Sequence, residues 1–152
     1  MISIKADPDF RGIIAPAILK KAALKAWEHE AAPGPFNITI VLTDDSRLQT
    51  LNRDYLGVDA PTDVLSFPAD ETDPETGRKY LGDLLLSVPR AEQQARAAGH
   101  PLEAEMQLLV VHGVLHLLGH DHADAREKAR MWQAQGDVLK ELGLGQIQVR
   151  EE

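Results

Sequence analysis

The segment Leu108-Leu-Val-Val-His-Gly-Val-Leu-His-Leu-Leu118 constrains this chain more than any other stretch. It leaves no polar stripe, so a helix built from it must be covered on every side and other elements must be arranged around it. Pro101 suits the first position of that helix, and Gly119 is placed to end it. His112 and His116 are four residues apart, which on a helix puts both imidazoles on one face. Imidazole nitrogens in such apolar surroundings require partners.

The rest of the chain supplies the cover. Ile2-Ser-Ile-Lys alternates like a short strand, and Pro16 to about Glu28 has apolar residues at helical spacing. After the breaker Pro33-Gly34-Pro35, residues Phe36, Ile38, Ile40 and Leu42 line one face of a second strand. Asp44 or Asp45 can cap a helix running to about Tyr55. Asp63 to Pro68 and Leu81 to Val88 read as two further strands, separated by a polar stretch from Ala69 to Lys79 that reads as a loop. Pro89 to Ala98 reads as a helix stopped by Gly99, and Asp124 with Glu127 opens a last helix reaching about Leu142 before Gly143.

With 152 residues, 43% of them apolar, the chain has the size and composition for one hydrophobic core, and residues 1–152 are expected to form a single domain. No cysteine is present, so any metal must be held by nitrogen and oxygen. The N-terminus lacks a basic stretch followed by an apolar run, and no apolar run approaches the roughly 20 residues that span a bilayer. The expectation is a cytoplasmic protein with no membrane association. A formal net charge of −8 opposes long-range attraction to nucleic acid, so contact with RNA would depend on a local basic patch or on a metal.

Four of the six histidines lie between His112 and His122. His112 and His116 can share an ion about 2.0–2.1 Å from each nitrogen. On an uninterrupted helix His120 would sit about 12 Å beyond His112 along the axis, too far for the same ion. Gly119 can take the left-handed conformation that turns the chain back, letting His120 or His122 fold over the site. The spacing HxxxHxxGxxH, the ligand pattern of the metzincin peptidases, favours His122. Three protein ligands with an open fourth position describe a catalytic zinc. The peptidase pattern, however, places its general base directly after the first histidine, and here that residue is Gly113. A metallopeptidase or amidase reading therefore lacks its base.

These residues make the chain resemble the YbeY family of metal-dependent endoribonucleases, which act in rRNA maturation and ribosome quality control. The family's HGxLHLxGxDH segment is present as His112 to His122. Further matches are Leu51-Asn52 with Tyr55, Pro61-Thr-Asp-Val-Leu-Ser-Phe-Pro68 and Leu81-Gly-Asp83. The resemblance implies a small α/β (α+β) domain in which a mixed sheet of about four strands carries helices, one of them a zincin-like metal-bearing helix. It also implies His112, His116 and His122 as ligands of one Zn2+ ion, and RNA, in particular rRNA of the small ribosomal subunit, as partner. Two positions depart from the family. His120 stands where tyrosine is usual, which adds a proton carrier or decoy ligand near the metal. Leu56 stands where an arginine, a natural phosphate clamp, is common. Arg47, Arg53, Arg78, Lys79 or Arg90 would have to compensate.

Other residues are candidates on position alone. Asp121, between two histidines, can orient an imidazole or move protons, and is equally a turn former. Asp63, Ser66 and Asp83 fall at strand edges where they can line a metal cleft, and such residues also stabilise strand ends. Asp121 and Ser66 are taken as the candidate catalytic residues. Lys20, Lys21 and Lys25 read as a solvated helix face, and His29 and His100 as ordinary surface or loop residues. The expected function is a zinc-dependent endoribonuclease acting on single-stranded RNA. The alternatives are a metallopeptidase or amidase with metzincin-like spacing, and a ribosome-assembly factor with weak nuclease activity, to which Leu56 and the acidic charge lean.

Overall fold

The computed structural model describes residues 1–32, 34–121 and 123–147. Its elements are β1 (Ile2–Ala6), α1 (Pro16–His29), β2 (Phe36–Thr43), α2 (Asp45–Leu56), β3 (Val64–Thr72), β4 (Lys79–Ser87), α3 (Val88–Ala98), α4 (Leu102–Leu117) and α5 (Ala125–Glu141), with a short 3-10 turn at Pro8–Phe10. The four strands form one mixed sheet in the order β1-β2-β4-β3. β1, β2 and β4 run parallel, and β3 pairs antiparallel with β4 at an edge. Parallel neighbours need a crossover, and α1 supplies it between β1 and β2. The α+β class with four mixed strands is therefore as the family resemblance implied.

The helices begin where short polar side chains hold their first amides. Asp44 accepts from Arg47 N–H at 2.8 Å, Asp124 from Glu127 N–H at 2.8 Å, and Ser87 from Arg90 N–H at 3.3 Å. Pro101 sits one residue outside α4 as its N-cap rather than at the first helical position. Its missing N–H costs nothing there, and its carbonyl accepts from Ala104 and Glu105.

The polar stretch from Ala69 to Lys79 departs from expectation. β3 continues to Thr72 and β4 starts at Lys79, so only residues 73–78 form the connection. Asp73 N–H donates to the Arg78 carbonyl and Gly77 N–H to the Asp73 carbonyl, both at 2.8 Å. Backbone pairing to a neighbouring strand overrides the strand-poor composition that suggested a loop.

Alternation along the strands sorts the two sheet faces. Phe36, Ile38, Ile40 and Leu42 of β2 and Leu84 and Leu86 of β4 are buried on one face beneath α1, α4 and α5. Val41, Leu65 and Leu85 point the other way and pack under Leu48 and Leu51 of α2. α4 lies in the middle of the first layer, buried without a break from Leu108 to Leu115. It packs closely on the sheet at Gly113, where an added Cβ would come within 2.7 Å and 3.0 Å of the two methyls of Leu84. Leu84 is itself fully buried and has little room to yield.

Gly113→Ala is expected to lower stability by up to about 2 kcal/mol, the difference between an overpacking cost of roughly 1–3 kcal/mol and a gain of about 1 kcal/mol from alanine over glycine in a helix. Urea denaturation should show this loss shrinking or reversing in a Leu84→Ala background. An equal loss in both backgrounds would rule out the contact as its cause.

Candidate metal centre

The two histidines of α4 converge. His112 Nε2 lies 3.1 Å from His116 Nε2, with the rings 4.7 Å apart between centroids and nearly perpendicular at 72°. Nitrogens each about 2.0–2.1 Å from one tetrahedral ion are about 3.3 Å apart, so this is the spacing of two ligands on a common centre. His112 is buried, and its Nδ1–H donates to Oε1 of Gln135 at 2.8 Å. An amide oxygen accepts only, so this bond places the proton on Nδ1 and the lone pair on Nε2. Gln135 is itself buried, on α5, and Trp132 one turn earlier stands edge-to-face with the His112 ring at 6.0 Å. The donor set and its orientation fit a nitrogen-bound divalent ion.

Gly119 ends α4 with φ +103°. Its N–H donates to the His116 carbonyl at 3.0 Å, and His120 N–H reaches back to the Leu115 carbonyl at 3.0 Å, a Schellman turn. The chain therefore doubles back after the second histidine as the sequence required. His122, the expected third ligand, lies outside the described residues. Among the described residues no set of three metal-ligating side chains comes together.

The histidines open into a cleft of about 390 Å³, walled by Val64, Ser66 and Pro68 of β3 and by Leu56 at the end of α2. Ser66 thus shares the cleft with His112 and His116. Asp63 and Asp83 do not: alternation puts both on the opposite sheet face, with Phe67 and Leu65. There Asp83 accepts from the Tyr80 hydroxyl. Asp63 is buried with its Oδ2 atom unpartnered, while its carbonyl accepts from Ser87 N–H. Asp121 is exposed in the turn and borders a separate small pocket with His120, Glu127 and Arg130.

His120 has a partner of its own on the side of α1. Its Nε2 bonds Oε1 of Glu30, whose Oε2 accepts from His29 Nδ1 at 2.8 Å. His29 Nε2 in turn lies 3.3 Å from Asp137 Oδ2 on α5. The expectation of a decoy ligand is therefore replaced by an anchor that ties the turn to α1 and α5. His29 is more than a surface residue, and His100 likewise bonds the fully buried Glu105 at 2.7 Å. The chain departs from periodicity-based reading at Gln135 too, although a polar residue four positions from Met131 and three before Val138, on the buried face of an amphipathic helix, was a usable signal.

The cations named as substitutes for an arginine at position 56 are occupied. Arg53 pairs with Asp54 at 3.0 Å, Arg47 with Asp7 at 3.2 Å, and Arg78 donates to the Phe36 carbonyl at 3.4 Å. Arg90 grips Asp45 through two bonds of 2.7 and 2.8 Å, which holds that carboxyl below its usual range. Lys79 borders a neighbouring pocket with Trp27 and Leu117. Lys20 and Lys21 are exposed, and Lys25 lies 3.5 Å from Glu28, as a solvated face would have them.

The chain is similar to known proteins along most of its length. Residues 14–143 match the family model described as Endoribonuclease YbeY. An Endoribonuclease YbeY of Roseiflexus sp. (strain RS-1) is 40% identical over 149 residues, covering 94% of this chain and 93% of the relative. Another, of Halalkalibacterium halodurans, is 42% identical over 130 residues, covering 76% and 82%. A solution structure from Thermotoga maritima aligns with a TM-score of 0.61 at 25% identity, over 100% of this chain and 99% of that one.

The anchor carries a pH signature. Burial lowers the His29 pKa, but the bonds to Glu30 and Asp137 outweigh it and leave the value above the ordinary 6.5. Burial raises the Glu30 pKa, and the bonds from His29 and His120 outweigh that, leaving it below 4.5. Stabilisation from His29 is then complete below 6.5 and lost as pH rises through its folded value, while that from Glu30 is complete above 4.5 and lost as pH falls through its folded value. Glu30→Gln should therefore cost most, up to about 1 kcal/mol, between those two limits. Thermal melts of both proteins across pH 4 to 9 check this; a Tm difference that keeps growing above pH 8 would contradict it.

Proposed function

Because the chain belongs to the YbeY family of endoribonucleases, we propose that it is a zinc-dependent endoribonuclease cleaving single-stranded RNA in the cytoplasm, with rRNA of the small ribosomal subunit as its substrate during rRNA maturation and quality control. The observation that carries the metal part of this reading is the 3.1 Å convergence of the two Nε2 atoms. A donor set of imidazoles without thiolates suits zinc and also accepts nickel, copper or iron. His122, at the spacing HxxxHxxGxxH, is proposed as the third ligand. Bound there, the ion would supply Lewis acidity toward a phosphodiester and lower the pKa of a bound water to about 7.

The chain's own residues then have distinct tasks. Gln135 holds the His112 ring and its tautomer, so that ligand need not reorganise on binding. Ser66, on the cleft wall beside the histidines, is positioned to hydrogen-bond a substrate oxygen. Asp121, next to His122 in the turn, is proposed to orient that imidazole. Gly113 cannot act as a base, and its contact with Leu84 leaves no volume for the glutamate that peptidase chemistry would place there. Among the described residues no helix is long and apolar enough to cross a membrane.

Purified protein incubated with single-stranded RNA should show cleavage that a chelator abolishes and that falls to background in His116→Ala. Cleavage surviving that substitution would sink the metal mechanism. Co-sedimentation with small ribosomal subunits without any cleavage would instead favour an assembly factor. Gln135→Leu should weaken zinc binding about 10- to 100-fold, read by competition with a chromogenic chelator.

A further inference from the structure

Leu56 stands at the border of the histidine cleft, at the position where an arginine would offer a phosphate clamp. Among the described residues six large hydrophobic side chains are exposed, and three of them, Tyr55 at 70%, Leu56 at 55% and Val58 at 50%, lie within one turn of chain at the end of α2. That turn is held in place. Gly57 N–H donates to the Arg53 carbonyl and Val58 N–H to the Asn52 carbonyl, both at 3.2 Å, while Asn52 Nδ2 donates to the Ala60 carbonyl at 3.0 Å. Leu56 lines the same cleft as His112 and His116. The Tyr55 ring meets Phe67 of β3 in a T-shaped contact, with centroids 5.9 Å apart and planes at 77°. That contact braces a side chain that is otherwise largely exposed and leaves aromatic surface open to solvent.

We propose that Tyr55, flanked by Leu56 and Val58, is a stacking platform for one unpaired base of the RNA whose backbone enters the histidine cleft. The inference rests on the RNA reading above. Three features select this occupant. The patch is continuous with the cleft through Leu56. Arg47, Arg90, Arg53 and Arg78, the arginines weighed as phosphate grips, are paired with Asp7, Asp45, Asp54 and the Phe36 carbonyl. The formal charge of −8 disfavours a purely electrostatic hold, whereas stacking on an aromatic face needs no cation and accepts any base. It also requires a base already out of a duplex, so the platform selects single strands without reading their sequence.

The test uses the full chain and a short single-stranded RNA carrying 2-aminopurine, with Tyr55→Ala, Tyr55→Phe and, as a control on an unrelated exposed hydrophobic, Leu24→Ala. Tyr55→Ala should raise KM about ten-fold, with most of the loss in KM rather than kcat, and Tyr55→Phe should restore it. Bound 2-aminopurine should be quenched by the wild type and Tyr55→Phe and not by Tyr55→Ala. An abasic residue at the quenched position should weaken binding to the wild type about as much as Tyr55→Ala does. If the wild type cleaves RNA while Tyr55→Ala matches it in KM and quenching, the platform is wrong and the nuclease reading stands. If the wild type neither binds nor cleaves RNA, both fall, and the Leu24→Ala protein will behave the same way.

Discussion

The closeness of α4 to β4 at Gly113 is the contact on which the rest of the structure depends. With no side chain at that position, the helix axis settles against Leu84 deeply enough for the flanking apolar residues to be covered by the sheet below and by α1 and α5 around it. A helix without a polar face has no stable place except such a layer. The same approach sets the height of His112 and His116, which emerge from the far end of α4 over edge strand β3. The cleft therefore exists because the helix is seated and because β3 is the last strand of the sheet.

Around that seat, separate elements converge on the imidazoles. α5 contributes Gln135, which fixes the His112 tautomer, and the Schellman turn at Gly119 reverses the chain immediately after His116. Glu30 and His29 from α1, with Asp137 from α5, anchor His120 on the outer side of that turn. The residue standing where the family commonly has tyrosine thus serves as a tether.

Charge is distributed in keeping with this architecture. Arg90 and Asp45 join the start of α3 to the start of α2, and Arg47 joins α2 to the segment after β1, so these arginines tie elements of the fold together. What faces the substrate side is the pair of imidazoles, a serine and an apolar rim. Stacking on an aromatic side chain needs no cation, which suits a chain of this acidity.

Much of this was legible in the residues alone. The buried helix, its two histidines one turn apart, the reversal at Gly119, the caps at Asp44 and Asp124 and the lack of a peptidase base at Gly113 are all local consequences of spacing and side-chain chemistry. The extension of the β3–β4 hairpin to Thr72 and back to Lys79 was not legible, because its polar residues are held by backbone pairing across strands rather than by their own propensity. Nor did spacing distinguish Ser66 from Asp63 and Asp83; only the register of β3 on β4 decides which face each takes. Gln135, Glu30 and Tyr55 acquire their roles from contacts with residues 23, 90 and 12 positions away in sequence. The sequence by itself determined that two histidines must meet inside a covered helix and what they can bind. Tertiary structure decided what orients them, what tethers the turn beside them and what borders their cleft, because those partners are brought together by packing across the sheet and not by chain neighbourhood.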